Sequence, residues 1–179
     1  MKGFTRELLQ FSLCGLNCLL CPMQVGGYCP GCGGGPGNQS CAIAQCSLDR
    51  GGYAFCSQCP EYPCARYDEF DAADSFVPHS RRAADLNRAR ELGLDAYIDE
   101  LRAKRVILDK LLADYNDGRR KTFYCAAVYL LPLEDLQSAM TVLEGQPECS
   151  VKEWAAAAVK LLQEATDSHD ICLKLNKKK

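Results

Sequence analysis

Between Cys14 and Cys64 the chain places ten cysteines with the spacing C-x3-C-x2-C-x7-C-x2-C-x8-C-x4-C-x9-C-x2-C-x4-C. No other feature narrows the possible folds as far. The intervening stretches, such as "GGYCPGCGGGPGNQS", are rich in glycine and proline and lack helical or strand periodicity. Turn chemistry therefore dominates, and the segment cannot build an apolar core unaided. A module of this kind is held by cross-links or by metal, and the free energy of metal binding then becomes folding free energy.

Three C-x2-C knuckles stand out: Cys18 with Cys21, Cys29 with Cys32, and Cys56 with Cys59. A tight turn after the first cysteine aims both thiolates at one point, and two knuckles together supply the four sulfurs of a tetrahedral site. The first two knuckles can close one site over a seven-residue loop. Cys56 and Cys59 can join Cys41 and Cys46 in a second, which leaves Cys14 and Cys64 over. These two can replace a member of either quartet, bridge two metals or serve as structural thiols, and spacing does not assign partners.

Disulfides are the competing explanation. The opening "MKGFTRELLQFSLCGL" has no uninterrupted apolar run of signal-peptide type, since Arg6, Glu7 and Gln10 break it. The expected location is therefore cytoplasmic, where thiols stay reduced and clustered cysteines bind metal. The total of thirteen cysteines is odd, which also argues against complete pairing.

Zinc accepts four thiolates in closed tetrahedral sites, and iron-sulfur clusters accept cysteine sets of the same number. Two or more zinc ions are the first expectation, and an iron-sulfur cluster is the alternative. The Cys-Pro pairs at Cys21-Pro22, Cys29-Pro30 and Cys59-Pro60 suit both. Cys14, Cys18 and Cys21 also spell the C-x3-C-x2-C of radical S-adenosylmethionine enzymes. Those enzymes build a partial barrel from strand-helix units after the motif, and no such succession follows here.

Charge divides the chain where the cysteines do. Residues 1–64 hold three basic and three acidic side chains, and the remaining 115 residues hold eighteen basic and twenty acidic. The expected organisation is a cysteine-rich metal-binding module over residues 1–70 and a helical region over 71–179, with "DAADSFVPHS" as the connection. The fold class expected is mainly α, with an irregular, metal-stabilised N-terminal module and an α-helical C-terminal part. Short helical turns are expected at residues 14–20 and 41–48.

Further on, "SRRAADLNRARELG" reads as a helix with Ser80 as its cap and Gly93 ending it in the left-handed conformation. From Asp95, apolar residues at Tyr97, Ile98, Leu101, Leu108, Leu111, Leu112 and Tyr115 recur at helical steps and make one long buried stripe. Residues 124–131 fit either a buried helix or a strand. A helix over residues 133–144 follows, and Ser150 with Glu153 forms a capping-box pattern ahead of "WAAAAVKLLQEA".

The remaining candidates have ordinary readings beside the chemical ones. His79 can complete a Cys3His zinc site, or simply sit at a helix start; His169 has still less to recommend it as a ligand. Arg119, Arg120 and Lys121 meet Arg81 and Arg82 only if the helices pack antiparallel, and otherwise lie on solvated surface. Cys125 in "TFYCAAV" behaves as a small buried hydrophobe, and Cys149 and Cys172 have no assigned role. Tyr28, Tyr53, Tyr62 and Tyr67 can stack bases beside a zinc knuckle or pack as apolar cover. The net charge of -2 argues against nucleic acid or an anionic membrane as the main partner. A protein partner is expected instead.

"CGLNCLLCPMQVGGYCPGC" followed by "CAIAQCSLDRGGYAFCSQCPEYPCARYDEF" resembles the prokaryotic domain-of-unknown-function family 3795. "LNRARELGLDAYIDEL" and "YNDGRRKTFYC" resemble segments that follow the cysteines in some members, so the likeness covers most of residues 11–136. It implies metal binding through Cys14, Cys18, Cys21, Cys29, Cys32, Cys41, Cys46, Cys56, Cys59 and Cys64, and implies no reaction or substrate. The function expected is that of a metal-binding protein whose zinc module serves structure, interaction or regulation. The alternatives are an iron-sulfur redox protein or oxidoreductase component, and a nucleic-acid-binding zinc protein.

Overall fold

A computed structural model describes residues 3–35, 40–67 and 72–177. The expected boundary at residues 70 and 71, part of the glycine-rich loop and the last two lysines lie outside these residues. The described chain is helical and contains no strand. It divides into two compact units, Met1–Leu101 with Leu175–Lys179 and Arg102–Lys174. This division follows contacts, whereas the charge boundary read above follows composition.

The first unit holds two 3₁₀ turns, Cys18–Leu20 and Cys56–Gln58, and helices α1 (Pro22–Val25), α2 (Ala42–Asp49) and α3 (Arg82–Leu92). Helix α4 (Leu94–Asp114) starts in this unit and runs on into the second. Pro22 opens α1 at its first position, where the missing N–H costs nothing. The turn expected at residues 14–20 is confined to Cys18–Leu20, while the one expected at 41–48 is α2.

Two details of α3 differ from expectation. Its start is Arg81 and carries no side-chain cap, so Ser80 does not serve as one. Gly93 takes φ 87° with ψ 142°, which is extended rather than left-handed helical backbone. That region is open to glycine and breaks the helix for a single residue, so α4 resumes at Leu94.

Phe11 lies at the centre of this unit, fully buried, with its ring 5.0 Å from Tyr97 and 5.5 Å from Phe55. Leu13, Leu20, Leu86, Ile98 and Leu101 are buried with it. Gly15 lets α3 approach the cysteine segment: at φ 94°, a Cβ there would stand 2.2 Å from the Arg82 carbonyl oxygen. Asn17 ties the same elements through its side chain. Its Nδ2 donates to Asp85 at 3.1 Å, and its Oδ1 accepts from the Tyr97 hydroxyl at 2.9 Å. Because all three groups are buried, each bond stands in place of lost water.

The connection is held from the far end of the chain. Asp74 N–H donates to the Asn176 carbonyl at 2.8 Å, and Asn176 N–H returns a bond to Asp74 Oδ2 at 2.7 Å.

The second unit packs the rest of α4 with α5 (Lys121–Leu130), α6 (Leu133–Glu144) and α7 (Val151–Ser168). Leu108, Leu111, Val128, Leu136, Leu143, Ala158 and Leu162 form its buried interior. The segment left open between helix and strand is helical. It ends at Leu131, whose extended backbone (φ -72°, ψ 146°) is what the following Pro132 requires. Lys104, itself buried, donates its ammonium to the Leu131 carbonyl at 2.6 Å and so satisfies a helix-end acceptor. The capping box is present: Ser150 Oγ accepts from Glu153 N–H, and the Glu153 carboxylate accepts from Ser150 N–H at 2.9 Å. Cys125 is buried, whereas Cys149 and Cys172 are exposed. No described helix is long and apolar enough to cross a membrane.

Candidate metal centre

Two of the three knuckles share one local fold. Cys18–Leu20 and Cys56–Gln58 are 3₁₀ turns in which the second cysteine donates its N–H to the carbonyl of the first, at 3.0 Å in both. Cys21 (φ -72°, ψ 132°) and Cys59 (φ -76°, ψ 134°) are then extended, as residues before proline are driven to be. The third knuckle turns instead through Gly31 at φ 100°, where a Cβ would fall 2.4 Å from the Leu9 carbonyl oxygen.

All ten cysteines from Cys14 to Cys64 are half-buried, and no disulfide joins any described cysteine. Eight of them gather in two neighbourhoods. Cys46, Cys56, Cys59 and Cys64 line one cavity of ≈ 40 Å³, walled also by Leu13, Ile43, Tyr62, Tyr67, Arg50 and Arg66. Cys18 lies within electrostatic reach of Cys14, Cys21 and Cys32. Cys14, Cys32, Cys41 and Cys56 pack against the apolar cluster of Phe4, Leu13, Ile43 and Ala44. Cys29 donates its N–H to the Met23 carbonyl at 3.2 Å.

Several donors are aimed at the sulfurs. The Cys32 N–H points at the Cys18 thiol, the Leu13 N–H and the Arg6 guanidinium at Cys32, and the Tyr67 hydroxyl at Cys56. The single Tyr67 proton is shared with the Cys14 carbonyl at 3.1 Å, and Ser12 Oγ stands 3.3 Å from Cys14 Sγ. Arg6 is fixed for its task by bonds to the Phe11 carbonyl at 2.7 Å and the Ala54 carbonyl at 3.1 Å, with its guanidinium 5.0 Å from the Phe55 ring centre. Donors of this kind favour charged sulfur and orient it, the part that outer groups play around metal-bound thiolates.

Burial acts in the other direction. Desolvation pushes the Cys56 thiol up to about 12, against the pull of Tyr67, and raises Cys18 and Cys32 as well. Burial thus favours the neutral form of these three thiols.

Among the described residues no three histidine, cysteine, aspartate or glutamate side chains converge as the ligands of one ion. The donor chemistry nevertheless fits a metal: four sulfurs on one small cavity, and N–H and O–H groups directed at sulfur.

The other candidates are placed elsewhere. His79 is buried; its Nε2 lies 3.2 Å from the Ser75 nitrogen and 2.9 Å from Ser75 Oγ, and its backbone N–H donates to Asp74 Oδ1 at 2.7 Å. That nitrogen is engaged in shaping the connection and is not directed at sulfur. His169 pairs with Asp135 at 2.6 Å in the second unit. Arg82 is only 1 % exposed, with its guanidinium 4.9 Å from the Tyr67 ring centre, so it cannot belong to a basic surface. Arg120 pairs with Asp117 at 3.2 Å. Tyr67 is buried and meets Tyr62 edge to face at 5.3 Å, as apolar cover; Tyr28 is exposed. Sequence reasoning missed Arg6 and Tyr67 as partners of sulfur. Their positions outside every knuckle left no local signal, and only the fold brings them in.

The chain is thus a helical protein whose first unit carries a ten-thiol module of turns and short helices. No protein-family model, curated protein or solved structure matches it.

Proposed function

We propose that the first unit is a metal-binding module, with zinc bound by cysteine thiolates to hold a shape used for interaction or regulation. The observation that carries this reading is the cavity of ≈ 40 Å³ lined by Cys46, Cys56, Cys59 and Cys64. Four cysteines on one cavity supply the number of sulfurs that a closed tetrahedral zinc site takes. The resemblance to family 3795 supports metal binding and nothing more specific. A reducing compartment such as the cytoplasm keeps the ten thiols available. The burial of Arg82 and Tyr67 takes two residues from a nucleic-acid surface, so a protein partner is the better reading.

The test is anaerobic purification with elemental analysis and an absorption spectrum. A colourless protein with stoichiometric zinc is expected. Broad absorption near 400 nm with iron and sulfide would instead establish the iron-sulfur alternative, whose sulfurs would be tuned by the same N–H donors.

A further inference from the structure

We infer that one ion is held by Cys46, Cys56, Cys59 and Cys64, so that Cys64 and not Cys41 completes the second quartet. The inference rests on the metal-binding reading above and goes beyond it by assigning partners that spacing leaves open.

Helix α2 supplies the first argument. Ile43, Cys46, Ser47 and Arg50 line the cavity, and their steps of three and four residues place them on one face of the helix. Cys41 precedes the helix in extended backbone, so it does not continue the face that Ile43, Cys46 and Ser47 share. Cys41 packs on the Phe4, Leu13, Ile43 and Ala44 cluster, which shares Leu13 and Ile43 with the cavity wall, but is not itself among the residues that line the cavity.

The second argument is the path from Cys59 to Cys64. Tyr62 N–H bonds the Cys59 carbonyl at 3.0 Å and turns the chain back. Glu61 is held by Arg50 at 2.5 Å, which ties the same loop to the end of α2. The loop therefore returns Cys64 to the wall that its own knuckle and Cys46 already share.

Charge supplies the third. A divalent ion on four thiolates carries a net charge of two minus. On the cavity wall, Arg66 offsets part of it, while the charge of Arg50 is already met by Glu61.

The experiment loads the full chain with Co²⁺ anaerobically, measures bound metal per chain and records the thiolate charge-transfer and d–d bands. The variants are C64S, C41S, C64H and C41H. The expected result is one ion fewer in C64S, unchanged content in C41S, and d–d bands shifted toward a mixed sulfur and nitrogen set in C64H alone. Because histidine is itself a ligand, C64H decides the matter even if C64S fails to fold. A C64H spectrum identical to the parent's, loss of an ion from C41S, or a shifted C41H spectrum would overturn the assignment and leave metal binding intact. A parent protein that takes up no metal would overturn the metal-binding reading itself.

Discussion

Gly15 and Asn17 show how few side chains join the cysteine segment to helix α3. An alanine at residue 15 would have to adopt φ 94° and place its Cβ 2.2 Å from the Arg82 carbonyl oxygen, which is backbone and cannot step aside. Gly15→Ala is expected to cost about 2 kcal/mol or more, read as a lower urea midpoint. Asn17→Ala removes two buried hydrogen bonds, to Asp85 and from Tyr97, while Asp85 keeps Arg81 at 3.9 Å. Its cost is expected to be about 2 kcal/mol, and that of Tyr97→Phe about 1 kcal/mol, because the second change leaves the bond from Asn17 to Asp85 in place. Equal losses in the two variants would show that the bond from Asn17 to Asp85 contributes nothing. Arg6 makes a different kind of prediction. Its planar fork reaches two carbonyls and a sulfur at once, so Arg6→Lys should weaken metal retention against a chelator even though charge is kept.

At the level of elements, the capping box of α7 couples helix stability to acid. Ser150 hydrogen bonds hold the Glu153 carboxyl below its ordinary value. Because the folded pKa is the lower one, this contribution is complete above the ordinary glutamate range and is lost as pH falls through the depressed value. Amide exchange in the first turn of α7 should accelerate on acidification, and Glu153→Gln should abolish that step; a pH-independent first turn would refute it. The same helix was legible from Ser150, Glu153 and the apolar steps after them, because caps and periodicity are local. The long helix α4 was legible from Tyr97, Ile98, Leu101 and Leu108 for the same reason. Residues 124–131 were ambiguous because an apolar run buried on all sides carries no period. Gly93 was legible as a stop, but its ψ depends on where α4 restarts. The knuckles were likewise visible in spacing, since each is one turn. Which knuckle meets which thiol was not, because that depends on the face α2 presents and on a loop tied down by Arg50 and Glu61.

For the whole molecule, the two units have separate interiors and should respond separately to loss of metal. Cys18→Ser with Cys21→Ser, or a strong chelator, is expected to unfold the first unit's turns while α5, α6 and α7 keep most of the far-ultraviolet helical signal. A single cooperative loss of all helical signal would refute that independence. The bonds between Asp74 and Asn176 span 102 residues of sequence. The entropy of closing a loop grows only with the logarithm of its length, so a contact across so long a stretch costs little more than one across half of it. The first unit can therefore carry the whole of residues 102–174 as an insertion between Leu101 and Leu175.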